Sequence, residues 1–206
     1  MSSNYPIMLR LEGKRVVVVG GGKVAERKVS GLLGTGARVT VVSPEATEDI
    51  QRLFHAGKIE WVQRHFSGGD LQGAFMVFAA TNDKILNLSI KDSAEPHQLV
   101  MVVDDLEKSD FHLPSTFHRG RLSISVSTGG ASPTFARKIR EQLEQEFDER
   151  YEEYLNFLFE KRKWIIKEVA ETTLKSKLLT AIASDEFLNS NDREGDFRRL
   201  YQELTF

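Results

Sequence analysis

The sequence predicts an α/β fold: a parallel sheet interleaved with helices, followed by a small α+β segment and a helical C-terminal domain. Three observations carry that prediction. Short β-branched runs alternate with helical stretches up to about residue 112, an order that requires a parallel sheet with right-handed crossovers. Strict apolar–polar alternation occurs only later, at Leu122–Val126, the pattern of a half-buried strand. From Thr134 onward, apolar residues recur at helical spacing.

Taken in order, Arg15–Val19 is an apolar run suited to a strand buried on both faces. A helix follows from Val24 to Leu33, closed by Gly34 and Gly36. Arg38–Val42 is the second strand, ended by Ser43-Pro44. The stretch between Glu45 and His55 is helical, and Ile59–Gln63 and Phe75–Ala80 are further strands. A helix from Lys84 to Glu95 stops before Pro96, and Leu99–Val103 is the next strand. His118-Arg119-Gly120 forms a turn ahead of Leu122–Val126. Gly129-Gly130-Ala131 then ends that strand, and Ser132-Pro133 supplies an N-cap with proline at the first helical position. Phe135, Ile139, Leu143, Phe147, Tyr151, Tyr154 and Leu158 make one continuous apolar stripe, and helical character extends from Trp164 to Leu179.

Three parts result: residues 1–112, a strand-plus-helix segment at 113–147, and a helical domain at 148–206. A strand edge and a long stripe in so small a segment can both be buried against a second copy. Residues 113–147 are therefore expected to mediate a homodimer. The alternative is that the C-terminal helices cover the stripe within one chain.

Composition removes several function classes. The chain has no cysteine, which excludes disulfides, thiolate metal sites and a cysteine nucleophile. A net charge of −2 gives no electrostatic footprint for nucleic acid. Apolar runs such as Val16–Val19 are far too short to span a bilayer, and Met1–Arg10 lacks the marks of a secretory signal. A cytoplasmic protein is expected, with no membrane or nucleic-acid partner. There is no P-loop, no His-Glu-x-x-His and no Tyr-x-x-x-Lys pair, and no metal site is predicted.

The segment Val19-Gly20-Gly21-Gly22-Lys23-Val24-Ala25 reads G-x-G-x-x-A directly after a strand and before a helix. That is the fingerprint of a Rossmann dinucleotide-binding unit. Gly20 permits the tight turn, Gly22 lets backbone approach a pyrophosphate, and Ala25 lets the helix pack close to the strand. Amides at the helix start face the phosphates, aided by the helix dipole. Gly20, Gly21, Gly22, Lys23 and Val24 are thus the expected pyrophosphate-side residues. The second strand ends in Ser43-Pro44 rather than in the usual acidic residue, which leaves Ser43, Pro44, its backbone or Glu45 to meet the adenosine ribose. No arginine follows that strand directly, although Lys23 or Arg27 could face a 2′-phosphate; NAD is expected over NADP. Thr81, within Ala79-Ala80-Thr81-Asn82-Asp83, lies at a strand end on the cofactor side.

Asp104 and Asp105 follow Val102-Val103 at the carboxyl end of the fifth strand. A carboxylate there could accept a proton while a hydride leaves for a nicotinamide; a solvated loop pair is the alternative. His112 and His118 are nearby in sequence, with surface histidines as the plainer reading.

These pieces carry a family resemblance. Val18-Val19-Gly20-Gly21-Gly22-Lys23-Val24-Ala25-Glu26-Arg27-Lys28, Val39-Thr40-Val41-Val42-Ser43-Pro44, Phe78-Ala79-Ala80-Thr81-Asn82-Asp83 and Val102-Val103-Asp104-Asp105 occur in that order. Ser125-Val126-Ser127-Thr128-Gly129-Gly130-Ala131-Ser132-Pro133 and Ala136-Arg137-Lys138-Ile139-Arg140 follow. Across residues 5–145 the set resembles the precorrin-2 dehydrogenases of sirohaem biosynthesis. The resemblance implies NAD-dependent oxidation of precorrin-2 to sirohydrochlorin, a homodimer paired through the segment after the Rossmann unit, and Asp104 as the aspartate that orients substrate or handles its proton. Some relatives also insert ferrous iron; in these a serine stands at the place of Thr128, and some relatives have an acidic residue at the place of His118. Dehydrogenation is therefore the expected activity, and a bifunctional dehydrogenase–ferrochelatase is the alternative. A non-catalytic NAD(H)-sensing module, signalling through its helical tail, is the alternative from another class. Arg119, Arg121, Arg137 and Lys138 are candidates to meet the substrate's carboxylates.

Overall fold

The computed structural model describes residues 4–103 and 105–205. The chain divides into two compact units, Met1–Leu113 and Pro114–Phe206. In the first unit, strands β1 (Arg15–Val19), β2 (Arg38–Val42), β3 (Glu60–Val62), β4 (Met76–Ala79) and β5 (Leu99–Val102) form one sheet in the order β3-β2-β1-β4-β5. Each of its pairings is parallel, with Val19 beside Val42 on one side and beside Ala79 on the other. The order reverses at β1, so β1 is the central strand and is buried on both faces.

Side chains alternate across this sheet as strand geometry requires. Val16, Val18, Val39, Val41, Met76 and Phe78 pack on one face with Ala25, Val29 and Leu32 of α1 (Lys23–Leu32) and Ile50 of α2 (Glu48–His55). Val17, Val19, Val42, Val77, Ala79, Val100 and Val102 pack on the other with Ile90 of α3 (Lys84–Asp92). This explains why β1, β4 and β5 read as apolar runs: a helix layer covers each face. Helix α3 ends at Asp92, three residues before the expected Glu95. The chain turns there because the buried Gln98 side chain accepts from the Glu95 amide and donates to the Leu71 and Ala74 carbonyls at 2.5 and 3.0 Å.

The second unit opens with an antiparallel hairpin, β6 (Ser115–Arg119) and β7 (Leu122–Val126), which pairs Phe117 with Ile124 and His118 with Ser123. His118 and Arg119 were expected in a turn; they belong to β6, and the turn is Gly120-Arg121. Only Phe117 of that strand is buried, so its polar sequence has no apolar alternation to reveal it. Helix α4 (Pro133–Glu146) packs on the hairpin, capped by the Ser132 hydroxyl, which accepts from the Phe135 amide at 3.1 Å. Helices α5 (Arg150–Glu168), α6 (Thr172–Ile182), α7 (Asp185–Asn189) and α8 (Arg193–Thr205) enclose Tyr154, Ile165, Leu178, Ile182, Phe187 and Phe197.

The continuous stripe expected from Phe135 to Leu158 is therefore broken. Phe147 leaves helical geometry at φ −95° and ψ 74°. The Asp148 carboxylate then accepts from the Arg150 amide at 3.0 Å, a side-chain bond to backbone that competes with helix continuation. Beyond the break, Tyr151, Tyr154 and Leu158 turn into the helical core of their own unit. Before it, Phe135 stays 56% exposed.

Candidate functional site

At the carboxyl ends of β1, β2 and β4, beside the reversal of strand order, lies a crevice of about 500 Å³. Open α/β sheets bind ligands at this place. The β1–α1 turn contributes Gly20, Gly21 and Gly22, and the β2–α2 loop contributes Ser43 to Thr47. His65 and Phe66 enter after β3, Ala80, Thr81 and Asn82 after β4, and Leu86 from α3.

The three glycines serve different ends. Gly20 has φ +122°, and a Cβ there would stand 2.3 Å from the Ala80 carbonyl oxygen. Its amide donates to the Val42 carbonyl at 2.9 Å, carrying the strand pairing into the turn. A Cβ on Gly21 would stand 1.9 Å from the Glu45 carbonyl oxygen and 2.5 Å from the Ser43 hydroxyl. The Gly21 carbonyl accepts from the Thr47 amide at 2.9 Å, so the ribose-side loop is tied directly to the glycine turn. Gly22 is different: its φ is −83°, and nothing in the protein lies within 4 Å of a Cβ placed on it. It holds the N-cap of α1 without a capping side chain. Neither backbone strain nor packing requires glycine at that position. The missing side chain leaves the first amides of α1 open to a ligand, as a pyrophosphate needs.

The other expected residues divide between crevice and support. Ser43 lines the crevice, but its hydroxyl donates to the Glu45 carbonyl at 2.7 Å, and its own carbonyl accepts from Trp61 Nε1 at 3.0 Å. Pro44 and Glu45 are exposed on the rim. Thr81 is held by the buried Asn87: its amide and hydroxyl both donate to Asn87 Oδ1, at 3.0 and 2.7 Å. Val24 packs its side chain into the core of the unit, which leaves its backbone as the available group. Lys23 does not line the crevice, and its ammonium donates to both carboxylate oxygens of Glu26 at 3.1 and 3.0 Å. The nearby Thr47 hydroxyl, which makes no hydrogen bond of ordinary length among the described residues, and after it Lys23 hold the Glu26 carboxyl below the usual carboxylate range.

Asp104 lies outside the described residues. The Ser109 hydroxyl clasps the end of β5: it accepts from the Val102 amide at 2.9 Å and donates to the Asp105 carbonyl at 2.7 Å. The Asp105 carboxylate accepts from the Lys108 amide at 3.1 Å, a bond internal to the loop. His112 does not line the crevice; its Nδ1 is buried without a hydrogen-bond partner among the described residues. His118 is exposed on β6. Among the described residues no group of three His, Asp or Glu side chains converges on a metal site.

In the second unit, Arg119 lies near Glu144 at 3.5 Å and Arg137 near Glu141 at 3.6 Å. Arg121 stacks 3.5 Å over the Phe159 ring, and Lys138 is exposed. Thr128 closes the loop before α4, accepting from the Ser132 amide and donating to the Ser132 carbonyl, both at 3.1 Å. His65, Phe66 and Leu86 also line the crevice, although no sequence motif marks them. His65 and Phe66 follow the end of β3, and that position is their only signal. The role of Gly21 is not marked either, because it depends on where the β2–α2 loop folds back.

The crevice can therefore hold a dinucleotide with backbone amides at its centre, between the β2–α2 loop on one side and Ala80 to Asn82 on the other. Comparison with known proteins agrees. Residues 7–115 match the profile of an NAD(P)-binding family, residues 119–146 that of the sirohaem biosynthesis protein central domain, and residues 151–197 that of the SirC C-terminal domain. The precorrin-2 dehydrogenase of Priestia megaterium is 35% identical over 193 residues, covering 94% of this chain and 96% of that protein. The precorrin-2 dehydrogenase of Bacillus subtilis is 34% identical, covering 77% of this chain and 98% of its own length. The siroheme synthase of Photorhabdus laumondii is 43% identical over 140 residues, which are only 30% of that longer protein. The solved structure of SirC, a precorrin-2 dehydrogenase, superposes with a TM-score of 0.85 at 34% identity, covering 97% of this chain and 100% of its own.

Proposed function

The chain belongs to the precorrin-2 dehydrogenase family, and we propose that it oxidises precorrin-2 to sirohydrochlorin with NAD as the acceptor. It is an oxidoreductase of sirohaem biosynthesis that uses a nicotinamide cofactor. The observation that carries the cofactor reading is Gly22, a glycine that the protein's own packing does not need, set where α1 presents its first amides. When bound, the nicotinamide accepts the hydride that leaves the reduced macrocycle.

The chain's own residues hold and orient. Gly20, Gly21, Gly22 and the backbone of Lys23 and Val24 receive the pyrophosphate. Pro44 and Glu45 meet the adenosine ribose, and Ser43, bonded through its hydroxyl and carbonyl, holds the loop that carries them. Thr81, fixed by Asn87, forms the wall at the end of β4. Asp104, which follows β5 in the chain, orients the substrate and takes its proton as the conjugated system extends. The enzyme acts as a cytoplasmic homodimer paired through residues 113–147, a reading supported by the exposed Phe135 on α4.

The test of this reading is anaerobic conversion followed by absorbance. Purified protein with NAD should turn precorrin-2 into sirohydrochlorin, and neither component should do so alone. A tight NAD complex without any tetrapyrrole turnover would favour a sensing module instead.

A further inference from the structure

Resting on the NAD reading of this crevice, we propose that Glu26 sets the preference for NAD over NADP by holding the Lys23 ammonium away from a 2′-phosphate. NADP differs at the adenosine ribose by one phosphate carrying about −1.5 to −2 charge, and a crevice accepts it only where a cation is free to meet it. The ribose-side loop is acidic: Glu45 lies on the crevice rim, and Glu48 and Asp49 open α2 behind it. Among the described residues, the cations at the start of α1 and on α2 are both engaged. Arg52 is paired with Asp49 one turn back on α2. Lys23 is bound by both oxygens of Glu26.

Glu26 is well placed for this because its carboxylate neighbours Thr47, whose amide is bonded to the Gly21 carbonyl. One carboxylate thus sits between the helix that offers Lys23 and the loop that would receive the phosphate. Arg27 lies four residues further along α1, about 6 Å down the helix axis from Lys23. The Ser43 hydroxyl at the strand end is committed to the Glu45 carbonyl, while the Thr47 hydroxyl of the same loop has no hydrogen-bond partner of ordinary length among the described residues. Lys23 remains 77% exposed, so its ammonium swings readily once its partner is neutral.

The experiment measures kcat/KM for NAD and for NADP on the same preparation of wild type, Glu26→Gln, and Glu26→Gln combined with Lys23→Met. The NADP/NAD ratio cancels any difference in the fraction of folded protein. Binding of 2′,5′-ADP against 5′-AMP repeats the comparison without turnover. The ratio should rise roughly two- to fivefold in Glu26→Gln and fall back when Lys23 is also replaced. An unchanged ratio in Glu26→Gln overturns the proposal, as does a rise that persists without Lys23. A wild type that prefers NADP, or that oxidises precorrin-2 with neither nucleotide, overturns the underlying NAD reading instead.

Discussion

At Gly21 an added methyl group would stand 1.9 Å from the Glu45 carbonyl oxygen, whereas at Gly22 it would meet no protein atom within 4 Å. These neighbours therefore separate folding from binding. Gly21→Ala should destabilise the first unit by about 2 kcal/mol, since the β2–α2 loop must move. Gly22→Ala should cost about 1 kcal/mol or less, the N-cap preference of glycine over alanine, yet raise the KM for NAD roughly tenfold by crowding the phosphates. Thermal denaturation and cofactor titration of the two variants check this. Equal effects of both on stability with none on KM would mean that Gly22 faces no ligand. Asp104 belongs to the same scale: its function rests on its place after β5 and on family resemblance.

Among the elements, the 3-10 turn at Gly68–Leu71 depends on one carboxylate. Asp70 accepts from Arg64 at 2.8 and 2.6 Å and from the Ser67 amide at 2.8 Å. The Arg64 guanidinium, outweighing burial, holds its carboxyl below the usual range. A depressed folded-state pKa stabilises the protein above the ordinary carboxylate value of about 3.9, and this stability is lost as pH falls through the folded value. Asp70→Asn should thus cost about 1 kcal/mol at pH 7, a modest figure because Arg64 is half exposed. The same variant should lose less further stability than wild type as pH drops, which denaturant melts across the acid limb will show. The parallel strands were legible in sequence because burial on both faces leaves an apolar run, and α1 because the glycines bracket it. Strand β6 was hidden because four of its five residues, Ser115, Thr116, His118 and Arg119, are polar. The break between α4 and α5 was hidden because Phe147 continues the apolar spacing while Asp148 redirects the backbone. Within the site, the phosphate-binding turn could be read from local sequence. The Ser43–Glu45 lock, the Lys23–Glu26 pair and the approach of His65 and Phe66 required the folded loops.

For the whole molecule, the NAD(P)-binding match falls on the first unit, and the proposed pairing falls to the second. Helix α5 onward buries its share of the apolar stripe internally, so the proposed dimer rests on the hairpin and on α4. Phe135→Glu should halve the mass measured by light scattering while leaving the helical signal of the second unit intact. A wild-type protein that is already monomeric would remove the dimer reading. The central claim is oxidation of precorrin-2 by this chain with NAD, dependent on Asp104. Its most direct test is the anaerobic absorbance of precorrin-2 with NAD and either wild type or Asp104→Ala, after confirming that the variant is folded and binds NAD. Rapid formation of sirohydrochlorin by wild type, reduced at least a hundredfold in the variant as expected on losing a positioned acid–base group, is the predicted result. Equal rates would take the proton from Asp104, and no oxidation by wild type would contradict the account itself.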